Sequence, residues 1–204
     1  MKIGLAGGIG SGKSYVAARL LLRGIKVYDC DSAAKRLMRT STQLRQQLTA
    51  LIGADCYESD GDDGANGINR VNGTMSRLNK AAVSRFLLAS PTNQQAINAI
   101  VHPAVFADFE ESGLQWLESG IMFESGANRH VDRVIVVTAP KEVRLQRIMQ
   151  RDGISREQAK QWIACQWPQN KVRRLADYEI VNDGQQDIDK QLNIILEQLC
   201  NKPF

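Results

Sequence analysis

Short apolar runs alternate with longer amphipathic stretches along most of this 204-residue chain. The apolar runs predict five buried strands, at residues 2–6, 25–28, 121–123, 131–138 and 178–181. Apolar positions spaced three and four residues apart predict helices at 15–23, 32–52, 78–88, 91–101, after 103, at 140–151, after 155 and at 188–200. Strands that alternate with helices predict an α/β fold with a doubly wound, parallel five-stranded sheet, whose ligands bind at the carboxyl ends of the strands.

One segment breaks this alternation. Residues 55–73 contain five acidic residues and four glycines, a composition that predicts an exposed loop. The spacing of the acidic residues does not fit a calcium-binding loop, and no glutamate closes it. We assign no function to this segment.

Composition limits the class of protein. With 43% hydrophobic residues, the chain can bury a core in one α/β domain with small inserted subdomains. No apolar run approaches the ~18 residues of a membrane-spanning helix, and the first strand begins too early to leave room for a signal peptide. Cys30, Cys56, Cys165 and Cys200 are scattered without a C-x-x-C pair, which argues against disulfides or zinc and favours the reducing cytoplasm.

The positive charge of the chain is concentrated in one segment. The total is only +4, too little to predict nucleic-acid binding, but residues 141–174 carry nine basic residues against three acidic ones, a net charge of +6. Most of these side chains are typical of solvated helix faces with ion pairs four residues apart. As a group, however, the arginines match what a phosphoryl-transfer enzyme places over a γ-phosphate.

A glycine-rich motif carries the strongest functional signal. Residues 7–14 read Gly-Gly-Ile-Gly-Ser-Gly-Lys-Ser and fit G-x-x-x-x-G-K-[ST] between a predicted strand and a predicted helix. In that position the loop N–H groups and the helix dipole both favour a bound phosphate. Lys13 would neutralise the β- and γ-phosphates, and the Ser14 hydroxyl would bind Mg²⁺. No G-x-G-x-x-G spacing occurs, so we exclude a dinucleotide site.

Carboxylates follow two of the predicted strands. Asp29 and Asp31 come after the second strand, where an extended segment would direct them to opposite sides. One of them could accept the proton of an attacking hydroxyl or help to hold Mg²⁺, or Asp31 could simply cap the next helix. Glu124 follows the run that ends at Phe123.

The ordered set of motifs resembles the dephospho-CoA kinase family. The resemblance rests on the glycine loop, Asp29-x-Asp31, His102-Pro103, Phe123-Glu124, Arg147-x-x-x-Arg151-Asp152-Gly153, Gln166, Ala176-Asp177 and Asn182-Asp183-Gly184. It spans nearly the whole chain and implies the fold of P-loop nucleoside and nucleotide kinases. It also implies transfer of the ATP γ-phosphate, with Mg²⁺, to the ribose 3′-hydroxyl of dephospho-CoA in the last step of coenzyme A biosynthesis.

The same resemblance implies residue roles. Asp31 is implied as the base, Lys13 as the phosphate clamp, and Arg147 and Arg151 as lid arginines. The implied nucleotide and metal residues are Gly8, Ile9, Gly10, Ser11, Gly12, Lys13, Ser14, Tyr15 and Asn182, with Ser14 as the magnesium ligand. The implied substrate residues are Asp31, Lys35, Arg36, His102, Pro103, Phe123 and Glu124. For His102 we favour a packed, hydrogen-bonded side chain over a ligand, and for Asp177 a structural bridge to an arginine.

We therefore expect one P-loop kinase domain over residues 1–204. Its parts would be a nucleotide core (1–54, 119–140 and 175–204), a helical substrate subdomain (55–118) and a lid (141–174). ATP and dephospho-CoA are the expected partners, with no nucleic acid and no membrane, and a monomer is favoured.

Several positions depart from the family pattern. Gly120-Ile121-Met122 replaces the usual Pro-Leu-Leu, Lys35 and Lys80 replace usual arginines, and the 55–73 loop is longer than usual. Lysine keeps the charge but loses the bidentate fork, which the adjacent Arg36 could restore for Lys35. The alternatives are another small-molecule P-loop kinase, a GTPase-type switch, for which no N-K-x-D motif exists, and a non-catalytic nucleotide-binding module.

Overall fold

The fold comes from a computed structural model, which describes residues 1–59, 70–71 and 74–200. The strands among these residues are β1 (Ile3–Ala6), β2 (Val27–Asp29), β3 (Tyr57–Ser59), β4 (Arg70–Val71), β5 (Thr74–Leu78), β6 (Trp116–Ser119), β7 (Arg133–Thr138) and β8 (Tyr178–Val181). The α-helices are α1 (Lys13–Leu21), α2 (Cys30–Thr40), α3 (Thr42–Ile52), α4 (Lys80–Ala89), α5 (Pro91–Glu111), α6 (Lys141–Asp152), α7 (Arg156–Ala164), α8 (Gln169–Leu175) and α9 (Ile188–Cys200). Short 3₁₀ helices occupy Ala54–Cys56 and Ala127–His130.

The chain divides into two compact units. The sheet unit consists of Met1–Asp29 and Gly113–Phe204, and the helical unit is Cys30–Ser112. The helical unit contains most of the predicted substrate subdomain at 55–118, but it begins earlier, at Cys30. The substrate-binding role of this subdomain stays a prediction. The predicted lid at 141–174 lies within the sheet unit.

A parallel five-stranded sheet forms the centre of the sheet unit, in the order β2-β6-β1-β7-β8. The predicted α/β class and strand number are therefore confirmed. Ile3 of β1 lies opposite Trp116 of β6 on one side and Arg133 of β7 on the other. Because all the strands run in the same direction, their carboxyl ends meet at one edge of the sheet.

The core of the sheet unit packs helices α1 and α9 against this sheet. Leu5 and Val137 of the sheet belong to one apolar cluster with Val16 and Leu20 of α1 and Leu192 of α9. All five side chains are fully buried, and each such burial contributes about 1.5–3 kcal/mol. This packing fixes the start of α1 relative to the end of β1.

The predicted strand at 121–123 is wrong. The strand in that part of the chain is β6, and residues after Gly120 form turns in which the Ser125 N–H donates to the Ile121 carbonyl (2.9 Å). The apolar signal came from Met122, which is 1% exposed because its side chain fills the space beside Gly4 of β1. The real strand, β6, ends with the polar residues Glu118 and Ser119, so it does not show as an apolar run in the sequence.

In the helical unit, the predicted helix at 32–52 is two helices. Ser41 adopts an extended conformation, and its hydroxyl accepts the Leu44 N–H (3.3 Å) as the N-cap of α3. The predicted loop at 55–73 is also wrong where residues are described, since β3 and β4 each pair antiparallel with β5. The rest of that prediction, 60–69 and 72–73, lies outside the described residues.

Helix α5 continues through Pro103, where the sequence predicted a break. Proline lacks the N–H of a helical hydrogen bond and disfavours a helix interior. Ile97, Val101, Val105 and Phe109, spaced four residues apart, are nevertheless all buried along one face of α5. Burial of this stripe outweighs the local cost of the proline.

Among the described residues, no helix is both long and apolar enough to span a bilayer.

We predict that His102 makes the stability of the protein depend on pH. Burial lowers the pKa of this imidazole below its ordinary value of 6.5, so the unfolded chain takes up a proton first as the pH falls. The stabilisation is complete above pH 6.5 and is lost as the pH falls through the folded pKa. In urea titrations from pH 8 to 5, the wild type should therefore lose more free energy of unfolding than His102→Gln. Parallel curves for the two proteins would contradict this.

Candidate active site

The loop between β1 and α1 presents backbone N–H groups at the carboxyl edge of the sheet. The N–H groups of Gly10, Gly12 and Ser14 donate to no acceptor among the described residues. Ser14 lies in the first turn of α1, where the helix dipole is positive. Unpaired amides at a helix N-terminus form a site for an anion such as phosphate.

Gly12 forms the junction between the loop and α1. It adopts a left-handed conformation (φ 95°), and its carbonyl accepts the N–H groups of Tyr15 (3.1 Å) and Val16 (3.2 Å). A Cβ at this position would collide with Nδ2 of Asn182. Both the conformation and the close approach therefore require glycine here.

Asn182, which follows β8, holds the loop from one side. It is 8% exposed, and its Nδ2 donates to the Ser11 carbonyl (2.9 Å). Arg147 of α6 completes this contact, since Nη2 donates to Asn182 Oδ1 (3.1 Å) and Nη1 to the Ser11 carbonyl (3.3 Å). Arg147 thus contacts the carbonyl side of the loop.

Arg144, which lies three residues before Arg147 on α6, also contacts the loop. Its side chain is 6% exposed, and Nε donates to the Ile9 carbonyl (2.9 Å). No carboxylate among the described residues lies within ion-pair distance of it, and burial lowers the pKa of the guanidinium. The loop therefore lies against a buried positive charge, which favours the binding of an anion. Sequence reasoning gave Arg144 no individual role, although its spacing before Arg147 was a visible signal.

An open cavity of about 510 Å³ adjoins the start of α1. Its lining includes Gly12, Tyr15, Arg147, Asn182 and Gly184. This volume lies in the usual range for small-molecule sites, and the cavity meets the unpaired amides of the loop at Gly12. The predicted nucleotide residues Tyr15 and Asn182 are thus brought together.

Lys13 reaches toward the end of β6. A methyl group built on Gly120 would lie 3.7 Å from the Lys13 Nζ. Beyond Gly120, Glu124 accepts the backbone N–H of Trp167 (2.9 Å), and Phe123 is half-buried. Glu124 is thus tied to the segment that follows α7.

The other predicted lid arginine, Arg151, does not contact the loop among the described residues. Arg151, an exposed residue in the last turn of α6, forms an ion pair with Asp152 (2.7 Å). Asp177 accepts the Val134 N–H (2.8 Å) and lies 3.6 Å from Nε of Arg133, which confirms the structural bridge expected for it.

The remaining predicted residues lie in the helical unit. Asp31 occupies the first turn of α2, so the extended geometry expected for Asp29-x-Asp31 is wrong. Lys35 follows one turn later on the same helix face, and both side chains are exposed. Arg36 forms an ion pair with Asp108 of α5 (2.5 Å). His102, beside the exposed Pro103, has its ring centroid 6.0 Å from that of Phe106.

A comparison with family models gives a match to dephospho-CoA kinase over residues 1–187. The chain belongs to the dephospho-CoA kinase family. A relative from Porphyromonas gingivalis named dephospho-CoA kinase is 39% identical over 207 residues, covering 98% of this chain and 95% of its own.

Solved structures have a similar fold. A crystal structure of a Thermus thermophilus protein, 30% identical, superposes with a TM-score of 0.77 over 98% of this chain and 97% of its own. Dephospho-CoA kinase from Campylobacter jejuni, 20% identical, has a TM-score of 0.60 over 98% of each chain and supports the fold.

The possible metal ligands in the site of this dephospho-CoA kinase family member fit a magnesium ion that is bound mainly by the nucleotide phosphates. Mg²⁺ keeps several waters and takes few protein ligands when it accompanies a nucleotide. Ser14 offers an exposed hydroxyl beside the unpaired amides, and the described residues contain no cluster of three acidic, histidine or cysteine side chains that could hold a metal alone. Ser14 is therefore the residue that would hold it.

We predict that Gly12→Ala damages both stability and nucleotide binding. Adding a Cβ forces a left-handed conformation that costs about 1–2 kcal/mol and displaces Asn182 as well. ADP affinity should fall at least ~10-fold by calorimetry, as expected when ~1.4 kcal/mol of binding is lost.

Gly24→Ala is the matched control. Gly24 also has a positive φ (79°), but no atom lies within 4 Å of its added Cβ. This variant should show only the conformational cost in urea unfolding, with unchanged ADP affinity. Equal effects of the two substitutions on ADP binding would refute the collision with Asn182.

Proposed function

We propose that this chain transfers the γ-phosphate of ATP to the ribose 3′-hydroxyl of dephospho-CoA, giving CoA and ADP. The observation that carries the proposal is the loop of unpaired amides at the start of α1, beside a cavity of a size that fits a nucleoside. The full-length likeness to relatives named dephospho-CoA kinase supports the choice of acceptor.

Binding of the phosphates follows from the loop. The amides of Gly10, Gly12 and Ser14 would donate to phosphate oxygens, and the ammonium of Lys13 would neutralise the β- and γ-phosphates. These donors are held in place before the nucleotide arrives, so little reorganisation accompanies the transfer. Mg²⁺, held by Ser14, would supply further neutralisation of the phosphate charge.

Asp31 is proposed as the base. Its carboxylate would take the proton of the acceptor hydroxyl as that oxygen bonds to the γ-phosphorus and the bond to the β,γ-bridging oxygen breaks. Its position two residues after the end of β2, and its exposure in the first turn of α2, support this role. Lys35, one turn along the same face, is proposed to contact the acceptor with Arg36, His102, Pro103, Phe123 and Glu124.

The remaining proposals concern motion and assembly. Residues 141–174 are proposed to act as the lid, whose closure would bring Arg147 and Arg151 near the transferred phosphoryl group. We also propose that the protein is a cytoplasmic monomer, and its four free cysteines are typical of a reducing compartment.

The choice of acceptor predicts the substrate dependence of turnover. ADP release should be stimulated strongly by dephospho-CoA and only weakly by AMP or gluconate, because the bound hydroxyl must be aligned with the γ-phosphate. A coupled assay with each acceptor, and with ATP alone, measures this. If none of the acceptors changed the rate of ADP release, the kinase assignment would be refuted. Stimulation by gluconate would instead indicate a different small-molecule kinase.

The base assignment predicts the effect of Asp31→Asn. This change should lower kcat by at least ~100-fold and leave ATP affinity nearly unchanged, since a base acts in the transition state. Steady-state kinetics and calorimetry measure the two effects. Asp55→Asn, an exposed substitution of the same kind in the helical unit, should change neither. Normal turnover by Asp31→Asn would rule out the role.

A further inference from the structure

Gln166, one residue beyond the C-cap of α7, makes two hydrogen bonds with its side-chain amide. Its Oε1 accepts the backbone N–H of Ile9 in the phosphate loop (2.7 Å). Its Nε2 donates to the carbonyl of Gly120, at the end of β6 (3.2 Å). One side chain therefore joins two backbone segments that are far apart in sequence.

The residue that Gln166 holds, Ile9, is fixed from two further directions. Arg144 donates to the Ile9 carbonyl, so both backbone polar groups of this residue are engaged by side chains. The Ile9 side chain packs against the apolar cluster that includes Leu145 and Ile148 of α6 and Ala159 of α7. Ile9 is thus the point where the α6–α7 segment attaches to the loop.

Gln166 also lies near the proposed phosphate clamp. A methyl group built on Gly120 would lie 3.4 Å from Gln166 Nε2 and 3.7 Å from Lys13 Nζ, so both groups border the same small space. The neutral amide of Gln166 accepts from Ile9 and donates to Gly120 without placing a negative charge of its own beside the Lys13 ammonium.

We propose that Gln166 is a positioning residue that fixes the phosphate loop at Ile9 against the end of β6 and so presets the loop amides and Lys13 for phosphate. The proposal deepens the kinase function and rests on it only for the identity of the nucleotide. Because the loop is held before binding, the nucleotide does not have to bear the cost of ordering it.

The test compares two substitutions with opposite chemistry. Gln166→Met keeps the length of the side chain and removes both hydrogen bonds, and it should weaken ADP binding by about 10-fold. Gln166→Glu keeps the acceptor for Ile9 but places a carboxylate near Lys13, where it competes with phosphate. It should weaken ADP binding further than Gln166→Met, and the additional loss should shrink as salt is raised.

Calorimetric titration of ADP into each full-length variant at two salt concentrations gives these affinities, and thermal melting is recorded in parallel. Gln161→Met, an exposed residue of α7, is the matched control and should bind ADP like the wild type. If Gln166 only stabilised the fold, melting temperatures would fall while ADP affinities stayed at the wild-type value, and that result would overturn the proposal. ADP binding needs no acceptor, so a failed acceptor assay would leave this result standing.

Discussion

The asymmetry of hydrogen bonding in the phosphate loop is the constraint on which the site depends. A loop that offers its N–H groups to phosphate must turn its carbonyls away, and buried carbonyls need donors. The carbonyls of residues 8–12 all find one. Backbone N–H groups donate to the carbonyls of Gly8 and Gly12. Side chains donate to the three carbonyls between them: Arg144 to Ile9, Arg147 to Gly10 and Ser11, and Asn182 to Ser11.

This requirement explains why residues remote in sequence converge on a short loop. Arg144 and Arg147 lie on the same face of α6, and Asn182 follows β8, whose position is fixed by pairing with β7. The sheet brings the end of β8 beside the loop, and the Asn182 N–H bonds to Thr138 at the end of β7 (2.8 Å). The sheet order thus places the donors, and the donors shape the loop.

The glycine motif and four of the five strands of the sheet could be predicted from sequence because each reflects local chemistry. Backbone conformation at Gly12 and apolar burial in β1 and β7 depend mainly on neighbouring residues. The features that the sequence did not predict depend on contacts between residues that are far apart in the chain. Met122 looked like part of a strand but fills a space beside Gly4, and α5 survives Pro103 because its apolar stripe is buried. The partners of Arg144 and Gln166 likewise appear only once α6 and the end of α7 lie beside the loop.

The buried guanidinium of Arg144 links the stability of the ligand-free protein to its binding of phosphate. Among the described residues, this charge has no carboxylate partner and donates one hydrogen bond, to the Ile9 carbonyl. Its removal from water therefore raises the free energy of the folded state, and the bond compensates only in part. An anion bound on the other side of the loop would supply the missing opposite charge at short range. Part of the free energy of nucleotide binding would then come from relief of a cost already present in the folded protein. The same arrangement makes the folded state more stable when the nucleotide is bound than when it is absent.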